Sequence, residues 1–132
     1  MTAPSNIKTA SEKSAPSVYT NDTDRALFDS IHHAIVDRQL FLDPLFCREK
    51  YIKLGLINKN KVARLMHKYA GNSLNGYIND LRLDYAVELM RGNPDAPIKA
   101  IAIDAGFKSL RTFYRLFSAK YGVTPSVFMT GL

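Results

Sequence analysis

From about residue 24 onward the apolar positions of this chain recur at steps of three and four, and no alternating segment stands out, so the pattern predicts helices. The first predicted helix runs from about Asp24 to Gln39. Leu27, Phe28, Ile31, Ala34 and Ile35 form its buried stripe, its acidic residues face solvent, and Asp22, Thr23 or Asp24 caps it. Leu40 to Pro44 reads as a turn, Phe46 to Leu54 as a second helix, and Lys59 to Ala70 as a third behind the cap Asn58. A long helix follows from roughly Leu74 to Arg91, with Leu74, Tyr77, Ile78, Leu81, Tyr85, Leu89 and Met90 on its apolar face. Gly92-Asn93-Pro94 stops it. Ile98 to Ala105 and Leu110 to Tyr121 form another pair, separated by the turn at Gly106 and the cap Ser109, and Pro125 opens a short last helix. Residues 1 to 21, rich in Ser, Ala, Thr, Pro and Lys, have the composition of a disordered tail, leaving 22 to 132 as one domain.

Part of this pattern occurs twice. Sliding the chain by 51 residues pairs Gly55 with Gly106, Asn58 with Ser109, Val62 with Phe113 and Arg64 with Arg115. The register continues through Leu65 and Leu116, Met66 and Phe117, Gly71 and Gly122, Ser73 and Thr124, and Tyr77 and Phe128. Turn glycine, cap, core triplet, outward arginine and closing glycine recur together. This predicts two helix-turn-helix units, about 45–71 and 97–122, joined by the long helix at about 73–91. At about 1.5 Å per residue that helix spans roughly 27 Å, about one turn of DNA.

Charge sharpens the picture. The net charge is +6, but residues 1 to 43 carry 4 basic against 6 acidic side chains, and residues 44 to 132 carry 14 against 6. The positive excess lies on the duplicated region and favours a polyanionic partner. The single cysteine, Cys47, excludes an internal disulfide, reads as a small buried apolar group and fits a reducing compartment. No run approaches the roughly 20 apolar residues of a membrane span, and no secretory signal core opens the chain, so a cytoplasmic protein is expected. Adjacent His32 and His33 point apart on a helix and lack further ligands, so neither metal nor cofactor is expected. No nucleophile with a base, phosphate loop or metal cluster is present to make an enzyme.

The exposed faces carry the candidate chemistry. In the first unit Val62, Leu65, Met66 and Tyr69 share one arc of the wheel, with Asn60, Arg64 and His67 opposite and Ala63 on the flank. In the second, Phe113, Leu116 and Phe117 turn inward, with Arg111 and Arg115 opposite and Leu110 and Tyr114 beside them. Arginine matches guanine O6 and N7, asparagine matches adenine N6 and N7, and a short side chain such as Ala63 allows close approach. On the wheel alone His67 is compatible with a base, a phosphate or neither, and Tyr114 with the backbone or a base. Phosphate candidates are Asn58, Lys59, Lys61, Lys68, Lys108, Ser109, Thr112 and Lys120, near the helix starts with their free amide hydrogens or on the flanks. The competing reading is a basic helical module that meets an acidic protein.

The run from Ile101 to Phe128 resembles the signature of AraC/XylS-type transcription regulators. It holds Ile101-Ala102, the Gly106-Phe107 turn, Phe113 and Phe117 around Arg115, and Gly122, Thr124 and Pro125 before the aromatic Phe128. The resemblance extends over about Leu42 to Phe128. It implies an all-α, homeodomain-like domain of about seven helices, whose two second helices enter successive major grooves of double-stranded DNA. The same residues would then read bases: Asn60, Ala63, Arg64 and His67 in one unit, Leu110, Arg111, Tyr114 and Arg115 in the other. The first unit departs from the family pattern, with Tyr51-Ile52 where small residues are usual and a Leu54-Gly55-Leu56-Ile57 turn. The resemblance further implies a bacterial regulator such as an activator, RNA polymerase as a second partner, and a sensor or dimerisation domain elsewhere. The run Leu40 to Glu49 is similar to regulators in which such a domain ends a larger sensor protein.

Overall fold

Helices account for all the regular structure among the described residues, 16–132, of the computed structural model. They are α1 (Pro16–Asp37), α2 (Arg48–Gly55), α3 (Lys59–Leu65), α4 (Leu74–Gly92), α5 (Ile98–Asp104), α6 (Leu110–Tyr121) and α7 (Pro125–Thr130). A 3-10 turn, Leu40–Leu42, lies within the segment expected to be a turn, and a π-helical segment, Met66–Ala70, continues α3. The expectations about the start of the chain change. The first 15 residues of the expected 1–21 tail lie outside the described residues, but from Pro16 the backbone is already helical, ahead of the expected start near Asp24. Proline is no obstacle in a first turn, where its missing N–H would have had no acceptor. Asp24 therefore lies inside α1 and caps nothing. Nor does it face solvent, for it is only 1% exposed.

Asn58 and Ser109 cap α3 and α6 as their residue types predict, and Ser73 and Thr124 cap α4 and α7 in the same way. Asn58 Oδ1 accepts from Lys61 N at 2.9 Å, Ser73 Oγ from Gly76 N at 3.0 Å, Ser109 Oγ from Thr112 N at 3.2 Å and Thr124 Oγ1 from Val127 N at 3.2 Å. Each satisfies one of the amide hydrogens that a helix start leaves without a partner.

The two turns are less alike than their shared glycine predicts. Gly106 adopts φ +95°, as a turn glycine should, but Gly55 is still helical, and Leu56 takes the left-handed conformation at φ +53°. Gly55 serves packing instead: a Cβ there would lie 2.6 Å from Ile31 Cδ1 of α1. The glycine lets α1 lie close against α2.

Two cores result, and α4 belongs to both. The first gathers Ile31, Ile35, Phe41, Tyr51, Val62, Leu65, Met66, Tyr77 and Ile78. The second gathers Leu83, Ala86, Val87, Met90, Ile101, Ala102, Ala105, Phe107, Phe113 and Phe117. At 100° per residue, Tyr77, Ile78 and Leu81 occupy one side of α4, and Leu83, Ala86, Val87 and Met90 occupy the other. The single apolar stripe expected of this helix is thus two opposed stripes, because the helix is buried by a different unit at each end.

Arg82 sits where they meet. Only 9% exposed, it donates from Nε to the Phe41 carbonyl at 2.7 Å, from Nη2 to the Asp43 carbonyl at 2.9 Å and from Nη1 to Asn79 Oδ1 at 3.1 Å. Burial lowers its pKa, and the hydrogen bonds compensate the enclosed cation.

Candidate nucleic-acid interface

Once Val62 and Leu65 of α3 enter the first core, helical geometry leaves Asn60, Ala63 and Arg64 outside, and all three are exposed. Lys59 and Asn58 are exposed beside them. The next turn departs from the wheel. Gly71 N donates to the Met66 carbonyl at 2.9 Å, closing an i to i+5 ring, so the residues of Met66–Ala70 are rotated from α-helical positions. His67 remains exposed, and Lys68 stands 5.5 Å from the centre of the Tyr69 ring. An open groove of about 690 Å³ runs along Lys59, Ala63 and His67, walled by the starts of α2 and α4 at Arg48 and Asn75. Glu49 also lines it, so the groove is not uniformly cationic. Its carboxyl is held below the usual range by its own backbone N–H and by the Cys47 thiol.

The second unit repeats this arrangement. Phe113 and Phe117 are wholly buried, and the same turns of α6 leave Arg111 and Arg115 exposed. Leu110 is partly exposed at the helix start. Tyr114 is half-buried, packing edge-on against Phe113, with its hydroxyl 3.4 Å from Ser126 Oγ of α7. Lys108, Ser109 and Thr112 line a cleft of about 150 Å³ against Pro44, Asn79 and Arg82, where the start of α6 approaches the junction between the units.

Lys120 and Lys61, both expected at phosphates, have partners inside the protein. Lys120 donates to Asp84 Oδ1 at 2.9 Å and lies 3.7 Å from Asp80, both on α4, and Tyr121 donates to the same Asp84 oxygen at 3.0 Å. Burial and this carboxylate push the Tyr121 pKa up. The group fastens α6 to the linker helix. Lys61, half-buried, pairs with Asp24 Oδ1, while Arg64 Nε lies 3.5 Å from Asp24 Oδ2. Residue type alone does not single out Asp24, since an aspartate on a helix is normally solvated. Only the packing of α1 against α3 brings it there.

His32 contacts the Tyr77 hydroxyl through Nδ1, and its ring is stacked on Phe28, so it belongs to the edge of the first core. Among the described residues no helix is long and apolar enough to cross a membrane.

A family described as "Helix-turn-helix domain" matches residues 56–131, from the turn before α3 to the end of α7. The chain is 29% identical over 109 residues to an uncharacterized HTH-type transcriptional regulator, YijO of Escherichia coli (strain K12). That alignment covers 83% of this chain but 37% of the relative, so the chain spans little more than a third of the regulator's length. No solved structure gives a significant match.

Proposed function

The chain belongs to the AraC-type helix-turn-helix family, and from that premise we propose that it binds double-stranded DNA sequence-specifically and regulates transcription. The carrying observation is the pair of capped helices, α3 and α6, whose polar faces are exposed while their apolar faces enter cores on opposite sides of one continuous helix. At about 1.5 Å per residue the 19 residues of α4 span roughly 28 Å. Two helices separated on this scale suit successive major grooves, with half-sites centred about 10 base pairs apart.

In this reading α3 presents Asn60, Arg64 and Ala63 to base edges, with His67 on the following turn. Helix α6 presents Arg111 and Arg115, flanked by Leu110 and Tyr114. Because these sets differ, one chain reads an asymmetric site. Lys59, Lys108, Asn58, Ser109 and Thr112 meet phosphates and hold the register. Lys120 is left out, its ammonium being engaged by Asp84 and Asp80. The protein acts by occupying DNA rather than by catalysing a reaction. RNA polymerase, a separate sensor or dimerisation domain and a cytoplasmic location belong to the same proposal.

Selection from a randomised duplex library near physiological salt tests it. Enrichment of an asymmetric motif with two blocks about 10 base pairs apart is expected. Recovery without enrichment would remove sequence reading, and no recovery at low salt would favour an acidic protein partner. On the selected site, Arg115→Ala should cost about 1–3 kcal/mol and relax preference in one block only. Equal weakening on every sequence would reassign Arg115 to a phosphate.

A further inference from the structure

Helix α1 belongs to neither helix-turn-helix pair, yet it lays a carboxylate against the flank of α3. Asp24 is 1% exposed. Its Oδ1 pairs with Lys61 Nζ and its Oδ2 lies 3.5 Å from Arg64 Nε, so one carboxylate engages two residues three apart on the helix. Lys61, Arg64 and Lys68 together hold its carboxyl below the ordinary range. A carboxylate is costly to enclose unless paired, so this placement depends on the cations it meets. The Arg64 side chain remains 56% exposed. It is tethered near Nε while more than half of its surface stays in solvent.

We infer that Asp24 is a positioning residue for DNA reading: from α1 it holds Arg64 in the orientation in which the guanidinium meets a base, and so sets the base preference of the first unit. The inference rests on the proposed DNA-binding function. An untethered arginine loses rotamer freedom when it docks, whereas one already held by a carboxylate loses less, and its planar fork arrives aligned. Lys61 supplies the second charge that keeps Asp24 in place, which makes it part of the support rather than a phosphate contact. In the second unit the nearby acidic groups of α4, Asp80 and Asp84, engage Lys120.

The test uses the full chain and the duplex recovered by selection, with single-base variants in each block. Asp24→Asn should lower discrimination in the Arg64 block about tenfold and leave the other block unchanged. Asp24→Glu, which keeps the charge, should restore most of it. In an Arg64→Ala background, Asp24→Asn should change preference no further. If Asp24→Asn alone unfolds the protein, the double variant Asp24→Asn, Lys61→Met removes the unpaired ammonium and should show the same one-block loss. Tighter binding to every sequence with a steeper salt dependence would overturn the inference, leaving Asp24 a mere counterion to the interface. Parallel loss in both blocks would also overturn it, as a general structural effect. If Arg64→Ala itself leaves preference intact, the DNA-reading role of Arg64 fails. If Arg64→Ala relaxes preference and Asp24→Asn does not, only the inference about Asp24 fails.

Discussion

Tyr51 shows how a single buried atom separates shape from chemistry. Its ring fills the first core at 0% exposure, in a place where the family resemblance implies a small residue. Its hydroxyl finds no hydrogen-bond partner among the described residues, and burial pushes its pKa up to about 12. Tyr51→Phe keeps the ring and removes the unsatisfied oxygen, so it should stabilise the protein by about 1 kcal/mol, visible as a higher denaturation midpoint. A lower midpoint would mean that a buried water serves the hydroxyl. Arg82 and Asp24 are the complementary cases, charged side chains that the apolar pattern assigns to solvent and the fold encloses. The apolar pattern does not mark them, because what makes their burial tolerable comes chiefly from the distant carbonyls of Phe41 and Asp43 for one, and from α3 for the other. Leu56 departs in the opposite sense: left-handed and 91% exposed, it takes the conformation expected of Gly55 one position earlier.

Among the connections between helices, the turn from α5 to α6 is the most constrained. Gly106 has φ +95°, and a Cβ there would lie 3.0 Å from Arg82 Nε and from the carbonyl oxygens of Phe41 and Leu42. The residue thus joins the second helix-turn-helix to α4 and to the segment after α1. Gly71 also has positive φ, at +62°, but a Cβ there would meet nothing within 4 Å. Gly106→Ala should therefore cost about 1–3 kcal/mol or more, and Gly71→Ala only about 1–2 kcal/mol from its backbone alone. Chemical denaturation of both variants checks the order, and equal losses would show that the junction yields to an added methyl. The positive φ of Gly106 is legible from its place between a helix and a cap. The crowding around it is not, since its neighbours lie more than 20 residues away in sequence. The same holds for the π-helical turn after α3, which no apolar period announces.

In the whole molecule, the opposed stripes of α4 set how the two polar faces stand relative to one another. Lys108 lies exposed at the start of α6, whereas Lys120 is tied to Asp84. Lys108→Ala should reduce the slope of log affinity against log salt by about one, while Lys120→Ala should leave the slope nearly unchanged. A flattened slope in the Lys120 variant would show that its ion pair opens on DNA. Helix content, the caps Asn58 and Ser109, and the inward and outward faces of α3 and α6 follow from residue type and spacing alone, because they depend on neighbours within a turn or two of the chain. So does the duplication, since a register of 51 residues is a property of order. The use of Gly55 for packing, the second stripe of α4, the enclosure of Arg82 and the reach of Asp24 from α1 to Arg64 were decided only by the tertiary structure. Each depends on which distant segments meet, and a side chain's charge or size carries no record of the partner that long-range packing will bring to it.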